Sequence, residues 1–468
     1  MKTPRTLIKA LPESVDQNVT IMGWVSVRRD HGKLLFLDVR AASATVQVVY
    51  QLSEDDKDMA EKLKPESVVR IEGLVKQRPE RMVNPDMATG AIELGAERIE
   101  VVSQAQTPPF EIHDTHAPAG EEIRMQYRYL DLRSERMQRN LHFRHRFIKA
   151  LRDYLDARGF IEVETPILGK GSPEGARDFI VPSRLTAGAF YALPQAPQQF
   201  KQLLMIAGYE RYYQIARCFR DEDLRNDRQP EFTQLDMEMS FVDQEDILEL
   251  NENMFREVIG ELMPEKTIPE SFQRLTYDEA MAKHSSDKPD LRSNKKDDDE
   301  LAFAWITDFP MFERDSSGKI TFAHNPFARP RDEDLHLLDT GKEEDLLKVR
   351  AYCYDLVLNG YEISSGSLRI HDPELQRKVF SLMGLSEAEI EERFGAFVKA
   401  FAYGTPPHGG FAPGLDRLIM VLQKESSIRE VIAFPKTGDM RDLMLGAPAQ
   451  ANPDQLRELG LQQRNPKT

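Results

Sequence analysis

The chain has few of the residues that build disulfide frameworks, cysteine-based metal centres or membrane anchors. Its only cysteines are Cys218 and Cys353, which excludes a disulfide-rich scaffold and fits a reducing compartment. The N-terminal segment has no long apolar run, so we expect no signal peptide, no membrane span and a cytoplasmic location. No low-complexity segment or repeat is evident, which argues against a solenoid.

Charge, by contrast, is abundant. The sequence has 78 acidic residues against 62 lysines and arginines, a formal net charge of −16. This acidity does not exclude a nucleic-acid partner, because such binding needs only a local basic patch on the surface. A chain of 468 residues is too long for one ordinary core and predicts two or three domains.

Three regions follow one another along the chain. Residues 1–102 consist of short alternating apolar runs separated by turn residues, a pattern that predicts a small β-barrel. Residues 103–124 form a polar, proline-bearing connector. Residues 125–468 mix helical and strand patterns, which predicts an α+β domain with an antiparallel sheet flanked by helices.

The segment FRDEDLRNDRQPEFTQLD, residues 219–236, predicts an antiparallel hairpin with an arginine-rich tip. In the second arm, alternation puts Phe232, Gln234, Asp236 and Glu238 on one face and mainly apolar residues on the other. An arginine tip beside an aromatic platform suits a polyphosphate attached to a flat base. The hairpin alone leaves open the alternative of a charged, solvated turn.

The same segment resembles the second signature motif of the class II aminoacyl-tRNA synthetases. GFIEVETPIL at 159–168 resembles the first motif, and GLDRLIMVL at 414–422 resembles the third. The three motifs occur in the family's order, and the resemblance extends from about residue 1 to about residue 465, most closely to bacterial aspartyl members. It implies an OB-fold anticodon-binding domain at 1–102, a hinge at 103–124 and a class II catalytic domain at 125–468.

The resemblance also implies a reaction: ATP-dependent activation of L-aspartate and its transfer to tRNA(Asp). Arg220 and Arg417 match the family's catalytic ligands of the α- and γ-phosphates, and cations there would neutralise charge during phosphoryl chemistry. Glu222 and Phe232 match the adenine-binding positions. Asp355 and Glu362 match the carboxylates that bind Mg²⁺ with ATP. The alternative for Arg417 is an ion pair with the neighbouring Asp416.

The implied amino-acid pocket combines cations for one end of aspartate with anions for the other. Lys201 and Arg369 match the pair that holds the side-chain carboxylate, whereas an asparaginyl enzyme would not need two cations and a lysyl enzyme would need the opposite sign. Strict alternation separates Glu362 from Arg369, so we expect a bulge within Ser364–Gly366. Other residues that the resemblance places around aspartate are Glu174, Gln198, Gln234, Asp236 and His324.

The resemblance assigns anticodon contacts to four residues of the barrel. Phe36 would stack an unpaired base and Gln47 would read a base edge, with Arg29 beside them. The alternative is a core phenylalanine and a surface glutamine. His31 stands where relatives that charge both the aspartate and asparagine tRNAs tend to have histidine. We therefore expect a non-discriminating enzyme that also charges tRNA(Asn) and supplies a tRNA-dependent amidotransferase.

One departure from the bacterial relatives is a missing domain. They usually carry an inserted domain between the second and third motifs, whereas here a short polar linker occupies residues 293–300. The first motif implies a homodimer. Two other functions stay open: a tRNA-independent paralogue that forms aspartyl-adenylate, and a catalytically inactive OB-fold RNA-binding protein.

Overall fold

The computed structural model describes residues 4–41, 44–113, 119–171, 175–315 and 317–462. The chain forms two compact units, Met1–Gln138 and Arg139–Thr468. The domain limits expected at residues 102 and 124 stay predictions, since compactness alone does not define a functional domain.

Five strands of the first unit close into a barrel, as the alternating pattern predicted. Leu35, Leu37 and Val39 are fully buried inside it, and the residues between them face outward. Around the barrel the strands follow the order first, second, third, fifth, fourth. In chain order they are β1 (Asn18–His31), β2 (Leu34–Ala41), β3 (Ala44–Gln51), β4 (Val68–Gln77) and β5 (Ile92–Ser103).

An eight-stranded sheet dominates the second unit. All neighbouring strands run antiparallel except for one parallel pair at each edge, so the predicted architecture is confirmed. The sheet order is β11-β12-β15-β16-β17-β10-β9-β6, and two small hairpins are separate from it. The strands are β6 (Ile161–Glu162), β7 (Ile180–Pro182), β8 (Phe190–Ala192), β9 (Arg211–Phe219), β10 (Glu231–Ser240), β11 (Gln273–Thr276), β12 (Phe303–Thr307), β13 (Phe312–Arg314), β14 (Ile320–Phe322), β15 (Cys353–Leu358), β16 (Tyr361–Leu368) and β17 (His408–Pro413).

Helices flank this sheet. The longest helix, Glu135–Asp156, ends shortly before Gly159, which takes a positive φ of 79° that a side chain would strain. None of the helices in the described part of the chain has the length and apolar character needed to cross a bilayer. The α-helices are α1 (Lys57–Lys62), α2 (Glu121–Gln126), α3 (Arg128–Asp131), α4 (Glu135–Asp156), α5 (Gln198–Ile206), α6 (Gln244–Leu262), α7 (Tyr277–His284), α8 (Glu343–Leu346), α9 (Pro373–Leu382), α10 (Glu387–Ala400), α11 (Leu415–Leu422) and α12 (Pro453–Glu458).

The hairpin predicted from the sequence is formed by β9 and β10, which pair antiparallel over nine residue pairs. Leu235, Met237 and Met239 of β10 pack into the apolar core under the sheet. Because successive strand residues point to opposite faces, Gln234 and Asp236 face the other side. The hairpin therefore presents its polar face above the core.

A β-bulge brings Glu362 and Arg369 to the same side of the sheet. Successive residues of β15 pair with Ser364 and Glu362, so the intervening Ile363 has no counterpart in β15. We expected the bulge within Ser364–Gly366. The structure places it at Ile363, so the expected position was wrong by one residue. The error has a physical cause: bulge position depends on the pairing with β15, which the pattern of one strand does not contain.

Candidate active site

A cavity of about 390 Å³ lies over the polar face of β10. Glu174, one of the expected aspartate ligands, lies outside the described residues. Asp355 lies next to the cavity rather than on its lining and is almost completely buried. The lining includes eleven of the residues predicted from sequence: Gln198, Lys201, Arg220, Glu222, Phe232, Gln234, Asp236, His324, Glu362, Arg369 and Arg417.

Four buried charged side chains lie at one end of the cavity, where Lys201, Asp236 and Arg369 are on its lining and Glu238 is buried behind them. The ammonium of Lys201 lies 2.7 Å from Asp236 Oδ1 and 3.4 Å from Glu238 Oε2. Arg369 donates from Nε and Nη2 to the two oxygens of Glu238 at 2.9 and 3.2 Å, and from Nη1 to Ser367 Oγ at 2.6 Å. We call Lys201, Asp236, Glu238 and Arg369 the buried charge cluster.

The buried charge cluster holds its charges through mutual pairing. Burial raises the pKa of Glu238, but the charges of Arg369 and Lys201 outweigh it and bring that pKa below its ordinary value. Burial would lower the pKa of Arg369, yet Glu238 raises it above the ordinary value. Burial also raises the pKa of Asp236, against the opposing effect of Lys201. The cluster thus places the basic side chains of Lys201 and Arg369 on the cavity floor.

Gly410 on β17 makes room for Glu238. A Cβ atom at position 410 would lie 1.7 Å from Glu238 Oε2 and 2.4 Å from the carbonyl oxygen of Met237. Both contacts are far inside van der Waals distance, and the carbonyl belongs to the neighbouring strand. Only glycine at this position allows Glu238 to reach Arg369.

The other end of the cavity carries half-exposed arginines. The guanidinium of Arg220 lies 5.0 Å from the ring centroid of Phe232. Arg228 and Glu222 form an ion pair of 3.4 Å at the hairpin tip. Arg417, in the first turn of α11, pairs with Asp227 at 3.2 Å and donates to the carbonyl oxygen of Glu362. Positive helix ends and guanidinium groups favour phosphate, so this end suits a polyphosphate.

Asp416 does not pair with Arg417. Its carboxylate instead binds Arg144 and accepts a hydrogen bond from the backbone N–H of Thr233 at 2.7 Å. It therefore fixes α11 against β10, and Arg417, the next residue, points into the cavity. The neighbour-pair alternative for Arg417 is excluded by this geometry.

Asp355 and Glu362 fit the oxygen ligands that Mg²⁺ prefers. Asp355 Oδ1 is buried and has no hydrogen-bond partner among the described residues. Burial and the charge of Glu362 raise the pKa of Asp355 well above its ordinary value. Burial also opposes ionisation of Glu362, but Lys288, 2.8 Å from its Oε2, lowers that pKa. Two carboxylates are the usual protein share of a Mg²⁺ site completed by substrate phosphates.

His324 reaches the cavity beside the predicted metal carboxylates. Its ring packs edge-on against Phe309 with centroids 4.5 Å apart. Burial lowers the pKa of His324 below its ordinary value, so the imidazole is neutral at pH 7. Asn325 turns its side-chain oxygen toward the backbone N–H of Phe327 at 3.0 Å. Both residues line the cavity, but the side-chain oxygen of Asn325 is already engaged.

The expected anticodon residues share the outer face of the barrel. Phe36 points away from the barrel interior, which excludes the core-phenylalanine alternative. His31 meets its ring edge-on with centroids 5.5 Å apart. Arg29 pairs with Asp38 at 3.0 Å, and Asp38 lies opposite Gln47 on β3. The four residues form a continuous aromatic and polar surface.

Three residues of the site were assigned no role from the sequence. Glu238 lies on the same strand face as Asp236, and that alternation was the signal for it. Asp227 is one of several carboxylates in the hairpin loop, and nothing in the pattern singled it out. Lys288 lies just before the polar linker, far along the chain from Glu362, so only the folded structure reveals the contact.

Two family models match the chain. The model of class II tRNA synthetases (D, K and N) matches residues 120–438, and that of the OB-fold nucleic acid binding domain matches residues 19–102. The chain belongs to the class II tRNA synthetases. These residues span the hairpin, the cavity and the barrel described above.

Curated relatives resemble this synthetase over nearly its full length. An aspartate–tRNA(Asp/Asn) ligase of Rubrobacter xylanophilus is 42% identical, covering 95% of this chain and 94% of the relative. An aspartate–tRNA ligase of Staphylococcus saprophyticus is 38% identical, covering 96% and 97%. The first alignment extends over 571 residues against 468 in this chain, so the relative contains a substantial stretch without a counterpart here.

A solved structure has the same fold. The asparaginyl-tRNA synthetase of Pyrococcus horikoshii, solved with asparaginyl-adenylate, gives a TM-score of 0.74 at 23% identity and covers 93% of this chain and 98% of its own. At that identity the likeness concerns the fold alone. The α+β class II architecture with an N-terminal OB-fold barrel is therefore confirmed.

Proposed function

We propose that this synthetase is a non-discriminating aspartate–tRNA ligase, which charges both tRNA(Asp) and tRNA(Asn) with L-aspartate. The observation that carries the proposal is the buried charge cluster at one end of a cavity whose other end holds Arg220 and Arg417. Two buried cations suit a side-chain carboxylate, and an amide would leave one of them without use. The name of the 42% identical relative supports charging of both tRNAs, and the name of the 38% identical relative supports aspartate–tRNA ligation.

Activation joins the two ends of the cavity. The α-carboxylate of aspartate attacks the α-phosphorus of ATP, the bond from that phosphorus to the β-phosphate bridge breaks, and pyrophosphate leaves. Arg220 stabilises charge on the α-phosphate and Arg417 holds the γ-phosphate. Phe232 stacks on adenine, and Glu222 accepts a hydrogen bond from its amino group. Asp355 and Glu362 would hold Mg²⁺, which would supply positive charge for the phosphates.

Aspartate is held by opposite charges at its two ends. Lys201 and Arg369 bind its side-chain carboxylate, while Glu174, Gln198 and Asp236 bind its ammonium, with Gln234 and His324 completing the pocket. The side-chain nitrogen of Gln198 is buried without a hydrogen-bond partner in the described residues, and as a donor it suits an oxygen of the ligand, whereas its side-chain oxygen is the atom that can accept from the ammonium. In the second step, a terminal ribose hydroxyl of tRNA attacks the aspartyl carbonyl and AMP leaves.

Two assays test the activity. Pyrophosphate exchange should proceed with aspartate and not with asparagine or lysine, because only aspartate matches both charge patterns. Aspartate charging of purified tRNA(Asp) and tRNA(Asn) transcripts should then be comparable. Exchange without charging of either tRNA would favour the tRNA-independent paralogue, and no exchange at all would favour an inactive RNA-binding protein.

His31 on the outer face of the barrel is assigned to tRNA choice, together with Arg29, Phe36 and Gln47. His31→Leu should reduce charging of tRNA(Asn) more than charging of tRNA(Asp). Lys33→Met is the matched control, since it removes a nearby exposed charge that would contact phosphate without sequence preference. Equal losses for both tRNAs in His31→Leu would contradict its role in discrimination.

The assembly and its partners complete the proposal. We expect a cytoplasmic homodimer formed around the first motif, where Ile161, Ile167 and Leu168 are exposed. Sedimentation should give twice the 53.7 kDa chain mass. Charging of tRNA(Asn) with aspartate implies an amidotransferase that converts the product. We place the missing insertion between α7 and β12, where only a loop connects His284 to Phe303.

A further inference from the structure

A loop side chain enters the predicted magnesium site. Lys288 lies in the connection between α7 and β12, and its ammonium is 2.8 Å from Glu362 Oε2. After this residue, ion pairs within the loop hold it together: Arg292 pairs with both Asp290 and Asp298 at 2.9 Å. The proposed mechanism does not use this lysine.

The contact places the ammonium of Lys288 at a site where the proposed function requires a bound Mg²⁺ ion. Asp355 and Glu362 carry two carboxylates on neighbouring strands, and Lys288 occupies one of their four oxygens. A Mg²⁺ ion binds carboxylate oxygens at about 2.0–2.1 Å. An ammonium and a divalent ion on the same carboxylate repel each other strongly at such distances.

We infer that Lys288 is the counter-ion of the Asp355–Glu362 pair in the nucleotide-free enzyme and that a divalent cation arriving with ATP displaces it. This rests on the proposed function, which assigns the two carboxylates to Mg²⁺. The lysine keeps the two carboxylates partly neutralised between turnovers and weakens binding of a metal ion that comes without nucleotide. The phosphates of ATP supply additional ligands, so a metal ion that arrives with ATP displaces Lys288 from the carboxylates.

Binding of Mn²⁺ to the nucleotide-free enzyme tests this directly, with the free ion measured by electron paramagnetic resonance. Lys288→Met should tighten Mn²⁺ binding about two- to fivefold, the range expected when a partly exposed competing charge is removed. Lys288→Arg retains the charge and should bind Mn²⁺ as the unmodified enzyme does. Lys283→Met is the matched control, because Lys283 is exposed on α7 and pairs with Glu279 instead.

Unchanged or weaker Mn²⁺ binding in Lys288→Met would overturn the inference. The gain should also disappear in Lys288→Met combined with Glu362→Gln, and a gain that persists there would mean that the ion binds elsewhere. Lys288→Gln replaces Lys288→Met if the latter does not fold cooperatively. Failure of aspartate-dependent pyrophosphate exchange in the unmodified enzyme would refute the proposed function, and the Mn²⁺ result would stand apart from it.

Discussion

The two ends of the cavity hold their charges in different ways. In the buried charge cluster the side chains of Lys201, Asp236, Glu238 and Arg369 are at most 3% exposed. At the phosphate end, Arg417 and Asp227 are 22% and 27% exposed, and Arg228 and Glu222 are 36% and 29% exposed. Buried pairs are fixed and costly to break, whereas exposed pairs contribute little and exchange partners readily. In the proposed mechanism, the buried end would determine which amino acid binds, and the exposed end would act on the phosphates in each turnover.

The largest effect on stability is expected for Arg369→Leu. It leaves Glu238 with Lys201 as its only cationic partner in a buried site and should lower the free energy of unfolding by about 3–5 kcal/mol. Aspartate-dependent pyrophosphate exchange should be abolished while ATP binding survives. Denaturant unfolding and a nucleotide-binding titration measure the two effects. Arg377→Leu, at an exposed arginine of α9, serves as the control, and retained exchange in Arg369→Leu would refute its assignment to the carboxylate.

The next largest effect on stability is expected for Gly410→Ala. The new methyl group displaces Glu238 from Arg369 and should destabilise the protein by about 1–3 kcal/mol, as overpacking typically does. The KM for aspartate should rise while the KM for ATP changes little. Gly260→Ala, within α6 and with open space around it, should instead be neutral or stabilising by about 0.5–1 kcal/mol. If both substitutions had the same effect, Glu238 would not need the space at position 410.

Substitution at the phosphate end should separate activity from stability. Arg417→Gln breaks a half-exposed pair and should change the free energy of unfolding by no more than about 1 kcal/mol. Its kcat for exchange should fall by about 10²–10³, the usual loss for a group that stabilises transition-state charge. Asp227→Asn breaks the same pair from the other side and should keep most of the activity. Equal losses of kcat in both variants would show that the pair itself matters, rather than the free guanidinium.

The smallest effect is expected for Glu222→Gln. The pair with Arg228 is about one-third exposed and solvent screens it, so the free energy of unfolding should change by less than about 0.5 kcal/mol. Raising the salt concentration to about 1 M should remove even this difference, because the Debye length then falls to about 3 Å. If the change in the free energy of unfolding persisted at high salt, the Glu222–Arg228 pair would behave like the buried charge cluster rather than like an exposed pair.

Most of the phosphate end and the barrel could be predicted from the sequence, because local patterns encode them. Alternation in β10 predicted which side chains share a face, and the resemblance to the family assigned Arg417, which lines the cavity. The contact of Lys288 with Glu362 and the position of the bulge at Ile363 could not be predicted. Both depend on how distant segments pair, and the sequence of a single strand or loop does not specify the segment that it contacts.

The bulge at Ile363 shifts the phase of one strand by half a pleat period. In the proposed mechanism, Glu362 upstream of it acts on the nucleotide and Arg369 downstream of it on the amino acid, so a single backbone segment would set the spacing between the two substrates. The distance from the metal carboxylate to the selectivity arginine is therefore set by covalent geometry rather than by the docking of separate elements. We expect that deleting one residue here would leave the sheet folded but would place the two bound substrates out of reach of each other.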